Sequence, residues 1–197
     1  MMPVIRTAHE YILRSPEGGL VLRPLTDEHL PLLYKWNADP EVVYWSDDGN
    51  DDSFDQDTVR SIYGHVSQNA LHFLIEWEGR PVGDCWLQKM NLPAVIEAYP
   101  PGTDLRRIDV EIGEKDCWGK GVGTRFLALL VQFAFETQGI GVLYNICSDY
   151  NLRSQRIQEK NGFVRILEEP CEEGNRAKAE YHYRLTRGEY FMKKSKR

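Results

Sequence analysis

Residues 111–124, EIGEKDCWGKGVGT, place Gly119, Gly121 and Gly123 at alternate positions directly before a long apolar segment. Glycines let a backbone come close to a ligand, and a helix beginning here would present unbonded N–H groups. Such a site suits a pyrophosphate; the bland alternative is a turn that merely packs a helix on a strand. Two nucleotide motifs are excluded by residue type. A Walker A loop requires glycine where Glu114 stands, and Ser or Thr where Gly121 follows Lys120. The dinucleotide fingerprint GxGxxG requires a third glycine where Thr124 stands.

Just upstream, RIDVEI has the alternation of a strand, with Asp109 and Glu111 on one face and Val110 and Ile112 on the other. A carboxylate here can meet an ammonium group. An ordinary aspartate, with a pKa near ~3.9, accepts protons poorly at neutral pH. Asp109 would therefore need a pKa raised by burial or by Glu111, or would orient an amine while water carries the proton. The competing expectation is that both carboxylates form a solvated strand face. Residues 46–57, SDDGNDDSFDQD, hold six aspartates. They do not form an EF-hand, because setting Gly49 at the invariant glycine puts Tyr44 at the first ligand position. Most suit a solvated loop that caps the next helix through Asp55 or Asp57. No metal site is expected: Cys85, Cys117, Cys147 and Cys171 are scattered without a CxxC pair, as reduced thiols would be.

The elements that must position these residues alternate between strand and helix. GLVLRPL reads as a strand, TDEHLPLLYKWN as a helix capped by Thr26 or Asp27, and 55–69 as a second helix. ALHFLIEWEGRPVGDCWLQKM is a hairpin about residues 78–81. A Pro-rich loop, LPAVIEAYPPGTD, precedes the strand RRIDVEIG and a helix over 121–137. A strand GVLYNICS, a helix from Asn151 to Asn161 and two strands, FVRILEE and KAEYHYRLT, close the chain. Together these predict a single α/β or α+β domain around a mixed sheet, with residues 1–19 as an N-terminal extension and 188–197 as a frayed basic tail. Trp36, Phe73, Trp77 and Phe163 are expected in the core.

The 197 residues carry a formal charge of −6, which disfavours nucleic acid and favours a cationic small molecule. No uncharged apolar run approaches the roughly 18 residues of a membrane span. The first residues lack the pattern of a secretory signal, so a cytoplasmic location is expected.

IGEKDCWGKGVGT resembles the acetyl-CoA-binding motif of the GNAT acyltransferase superfamily, R/Q-x-x-G-x-G/A, with Gly121 and Gly123 as its glycines and Trp118 where Arg or Gln is usual. NLRSQRIQEKNGF, residues 151–163, is similar to the family's second motif, N-x-x-[AS]-x-x-x-Y-x-K-x-G-F. From about residue 20 to 187 the chain resembles the aminoglycoside 6'-N-acetyltransferases. The resemblance implies a GNAT fold, with a central mixed and mostly antiparallel sheet flanked by helices, and acetyl-CoA as acyl donor. It implies direct transfer to the 6'-amine of an aminoglycoside, with a role in resistance.

By the same resemblance the donor is held by Val110, Glu111, Ile112, Trp118, Gly119, Lys120, Gly121, Val122, Gly123, Thr124 and Asn151. Asp109, ten residues before Gly119, matches the proposed base. Trp45, Asp47 and Asp48 lie beside the substrate loop, with Glu97, Tyr99, Asp149 and Glu173 as weaker acceptor contacts. Gln158 replaces the tyrosine that can protonate the leaving thiolate, so that proton must come from water, from a residue such as Tyr150, or in solution. Two alternatives stand: acylation of a siderophore precursor or other amine, which the acidic loop disfavours if that acceptor carries a carboxylate, and a module that senses acyl-CoA without turnover. Oligomeric state is not predicted.

Overall fold

The computed structural model describes residues 3–6, 9–47 and 52–196. Among these, eight strands form one sheet in the order β1-β2-β3-β4-β5-β6-β8-β7. The strands are β1 (Leu13–Arg14), β2 (Leu20–Pro24), β3 (Ala70–Trp77), β4 (Arg80–Lys89), β5 (Leu105–Glu111), β6 (Val142–Ser148), β7 (Val164–Pro170) and β8 (Ala179–Thr186). All neighbours run antiparallel except β5 and β6. The sheet is therefore mixed and mostly antiparallel, as expected.

Helices cover both faces. On one side α5 (Val122–Gln132) packs Val122, Phe126, Leu127 and Leu130 against Phe73, Ile75, Leu87 and Ile108. On the other, α1 (Leu30–Asn37), α2 (Pro40–Ser46) and α3 (Gln56–Val66) bury Leu33, Trp36, Val42, Val59 and Tyr63 against Leu74. Two short helices escaped the sequence reading. In α2, Asp39 caps the first turn by accepting from the N–H of Glu41, and Pro40 occupies the first helical position, where no N–H is missed. Similarly, Pro93 opens α4 (Pro93–Glu97) inside the expected Pro-rich loop.

The described residues near both chain ends dock onto the domain. The N–H groups of Val4 and Ile5 donate to the Asp27 carboxylate at 2.9 and 2.7 Å, and Ile5 is buried. The residues expected as a frayed basic tail form α7 (Arg187–Lys194), started by a capping box between Thr186 and Glu189. Lys194 and Tyr190 both donate to Glu136, and Lys193 donates to the carbonyl of Gly162. Lys193 and Lys194 thus dock the helix onto the domain.

The feature that creates the site is an incomplete strand pair. β5 and β6 pair only at Leu105–Val142, Arg106–Leu143 and Arg107–Tyr144, then separate. The Asn145 side chain donates to the Ile108 carbonyl at 2.6 Å and so closes the base of the gap. By strand alternation the N–H and C=O of Val110 point into the same gap.

Candidate active site

The gap opens into a cavity of about 400 Å³. Its floor is Val110, Glu111 and Ile112 of β5; its rim is Trp118, Gly119, Gly121 and the first turn of α5; its far wall is α6 (Leu152–Lys160); and Val42, Trp45 and Ser46 of α2 close the remaining side. The three glycines are required for two different reasons. Gly119 and Gly121 have φ of +75° and +83°, in the left-handed region, and Gly121 is the cap from which α5 starts. Gly123 instead makes room: a Cβ there would lie 2.6 Å from Cδ1 of Ile157 on α6. The N–H groups of Val122, Gly123 and Thr124 open a helix and have no acceptor within it, while the first helical bond runs from Arg125 to Gly121.

Trp118 has a role of its own. Its indole N–H donates to the Ile112 carbonyl at 2.7 Å, and Arg153 of α6 lies 5.4 Å from the ring and 5.1 Å from that of Trp45. The arginine thus bridges both sides of the cavity mouth through cation–π contacts. Arg153, Arg156 and Lys160 all line the cavity. Their spacing of three and four residues puts them on one helical face, a signal present in the sequence but unused by it. Such a wall suits an anionic ligand. Asn151 caps α6 by accepting from Ser154 N–H at 3.1 Å, and its amide donates to the Trp45 carbonyl at 2.9 Å. Gln158 is buried with its side-chain oxygen unpartnered at the cavity wall, an acceptor for an amide or thiol proton.

The acceptor side centres on β5. Asp109 is half-buried, with four donations onto its carboxylate: Trp86 Nε1 at 2.6 Å, Gln88 Nε2 at 2.9 Å, and Arg107 Nε and Nη2 at 3.0 and 2.6 Å. Glu111 is buried at 7% exposure, accepting from Asn37 Nδ2 at 3.3 Å and Ser46 Oγ at 3.0 Å. Neither carboxylate belongs to a solvated strand face. Opposite Glu111 on β4 stands Asp84, 1% exposed, which accepts from the Tyr63 hydroxyl at 3.1 Å. Burial, and then the charge of Glu111, pushes the Asp84 carboxyl well above the usual range; burial alone pushes Glu111 up to about 7.

The predicted site residues separate into two groups. Val110, Glu111, Ile112, Trp118, Gly119, Gly121, Val122, Gly123, Thr124, Asn151 and Trp45 all line the cavity. Lys120 and Asp109 do not: Lys120 is exposed, with its N–H turned back to the Cys117 carbonyl at 3.4 Å, and Asp109 lies on β5 just outside the lining. Asp47 ends α2 one residue beyond Ser46, and Asp48 lies outside the described residues. Glu97 is exposed at the end of α4, which buries its own Val95 beside Met90 and Leu105, and Tyr99 packs on that cluster with Tyr144. Asp149 accepts from the Lys178 N–H at 3.2 Å, tying its loop to the start of β8. Glu173 is exposed in the β7–β8 connection, outside the cavity lining. Asn37, Ser46, Asp84 and Arg107 went unpredicted because their relevance depends on strand register and helix packing.

Among the described residues no group of three or more His, Cys, Asp or Glu is placed to hold a metal ion, and no helix is long and apolar enough to cross a membrane.

Sheet, gap and glycine cap together define an acyltransferase site, and the chain belongs to the family described as the acetyltransferase (GNAT) domain, which matches residues 19–164. It is an acetyl-CoA-dependent acetyltransferase. It is 24% identical to aminoglycoside N(6')-acetyltransferase type 1 of Klebsiella pneumoniae, over 78% of each chain. The fold matches that of AAC(6')-Ib in complex with ribostamycin and coenzyme A, with a TM-score of 0.74 at 22% identity, covering 88% of this chain and 96% of that one. It also matches RimL, a ribosomal L7/L12 α-N-protein acetyltransferase in complex with coenzyme A, with a TM-score of 0.70 at 16% identity over 89% and 98%. The fold therefore serves very different acceptors and does not choose among them.

Proposed function

We propose that this acetyltransferase acts on a primary amine of a polycationic small molecule, the 6'-amine of an aminoglycoside, and so confers resistance. The observation that carries the proposal is the charge polarity of the cavity. Arg153, Arg156 and Lys160 stand on the α6 wall and Glu111 on the β5 side; Asp109, two residues back along the same strand face, lies just outside the cavity lining. One side suits a phosphate-bearing donor and the other an ammonium acceptor.

In the mechanism we infer, the N–H groups of the α5 first turn hold the donor's pyrophosphate, and Val110 and Asn151 align its arm along the gap. Bound there, acetyl-CoA supplies the activated acyl carbon. Asp109 orients the acceptor nitrogen; Arg107, Trp86 and Gln88 fix its carboxylate in place. Trp45 and Asp47 border the acceptor's path. Gln158 is a neutral amide and donates no acidic proton to the leaving sulfur, and the Tyr150 hydroxyl is already donated to the Tyr44 carbonyl at 3.1 Å.

One observation favours a second acceptor class. Arg107 pairs with Asp109, and Arg176 lies 4.7 Å from the Tyr44 ring with Asp52 at 3.6 Å. These cations would suit an amine that also carries a carboxylate, such as a siderophore precursor. Thiol release from acetyl-CoA, with product identification across aminoglycosides, hydroxylamine and lysine-derived precursors and N-terminal peptides, separates the classes. Turnover is expected with kanamycin-like aminoglycosides; turnover confined to another class would replace the proposed acceptor.

A further inference from the structure

We propose that Glu111, and not Asp109, takes the proton from the acceptor's ammonium group. The proposal rests on the N-acetyltransferase reading of the site and assigns a role within it. Asp109 and Glu111 project from the same face of β5 two residues apart, about 6.6 Å along the strand, so one nitrogen can lie between them.

Their surroundings suit them to different work. Asp109 is paired with Arg107 at 2.6 Å and takes bonds from Trp86 and Gln88, which together hold it as a fixed acceptor of hydrogen bonds. Glu111 has no cation within ion-pairing distance among the described residues. Its two bonds come from neutral groups, Asn37 on α1 and Ser46 on α2, and both Glu111 and Ser46 are among the residues lining the cavity.

Burial accounts for the basicity of Glu111, and the titratable and charged groups that face it are few. From β4 comes the buried Asp84 carboxyl, and from α3 the Tyr63 hydroxyl that donates to it. Asp109 with its arginine stands beside it on β5, and Arg153 of α6 lines the same cavity. Two carboxyls this close and this buried do not both ionise. Asp84 retains its proton, and Glu111 titrates at about 7, where a general base is best matched to neutral solution.

The proton count closes. The ammonium gives one proton to the Glu111 carboxylate, and the freed lone pair forms the C–N bond to the acetyl carbon as the C–S bond breaks. The sulfur leaves with the bonding electrons and takes the nitrogen's second proton, giving amide, thiol and a protonated Glu111 that returns its proton to solvent.

The test is the pH profile of kcat/KM for whichever amine the wild-type protein turns over, which keeps an error about the acceptor separate from an error about Glu111. The wild type should show an acidic limb near pH 7. Glu111→Gln should lower kcat at saturating amine by about a hundredfold and abolish that limb, with acetyl-CoA affinity unchanged in a calorimetric titration. A merely structural role for Glu111 would leave the limb in place. If the limb persists in a folded Glu111→Gln protein, the proposal is overturned.

Discussion

The donor wall of the cavity, the glycine rim and α6, presents backbone N–H groups and three cations drawn from about forty consecutive residues, 119–160. The opposite, β5 side has Glu111 in the lining with Asp84 and Asp109 beside it, carboxyls whose environments come from α1, α2, α3, β4 and β5. A backbone-built site needs only local conformation: two glycines at positive φ, a third that admits Ile157, and an asparagine cap. A side-chain-built site needs strand register and helix docking, because these decide which acid is paired, which is buried and which is charged.

The same difference governs how much the sequence discloses. Glycine spacing and the Asn151 cap were legible, and so were the sheet-forming strands, since each is signalled within a few residues. The alternation of β5 was legible too, and it correctly puts Asp109 and Glu111 on one face. It could not reveal that β4 sets Asp84 against Glu111 and Trp86 against Asp109, because register lies in the pairing of two strands. Glu111 thus looked like a length of donor-binding backbone, though its side chain faces the acceptor side. The weaker acceptor contacts fared poorly: Asp149 is engaged by the backbone of Lys178 before β8, and Glu173 stands outside the cavity lining. Helix α4 was missed because its segment was read as a Pro-rich loop, where Pro93 in fact serves as a first helical residue.

If the two walls act independently, changes on one should spare the other. Asp109→Asn should lower kcat/KM for the amine by about a hundredfold, roughly 2.7 kcal/mol, while calorimetry finds acetyl-CoA affinity within about twofold of wild type. Weakened donor binding in that variant would break the division.

Gly121→Val makes the opposite cut. A β-branched residue at φ +83° is strained by about 1–2 kcal/mol and disturbs the start of α5. Acetyl-CoA should bind at least about tenfold more weakly by titration, about 1.4 kcal/mol, and unchanged affinity would remove the glycine rim from the donor site.

The buried acid pair predicts a pH dependence of stability. Because the folded pKa values of Asp84 and Glu111 are raised, the folded protein keeps protons that the unfolded chain has released between roughly pH 4 and 7. The pair's contribution is present at the acid end of that window and is lost as pH rises, by up to about 1.4 kcal/mol per pH unit for each group. Histidines such as His72, held down to about 3 by burial, act in the opposite sense. The informative quantity is therefore the difference between wild type and Asp84→Asn in denaturant melts: the wild type should lose ground against the variant as pH is raised, and a flat difference would argue against the buried pair.

Asp47→Asn should have the smallest effect. An ion pair at a partly exposed edge is worth about 1 kcal/mol or less, so KM for an aminoglycoside should rise by no more than about fivefold, and the penalty should shrink as added salt screens the attraction. A larger or salt-independent change would mean that Asp47 acts through the α2 terminus rather than by charge.

The central claim, that this cavity brings acetyl-CoA to the 6'-amine of an aminoglycoside, is tested most directly by the initial rate of thiol release with two aminoglycosides that differ only in a 6'-amino or a 6'-hydroxyl group. The account predicts rapid release with the amine and little above background with the alcohol. Equal release from both, or none from either alongside robust turnover of another amine, would contradict it.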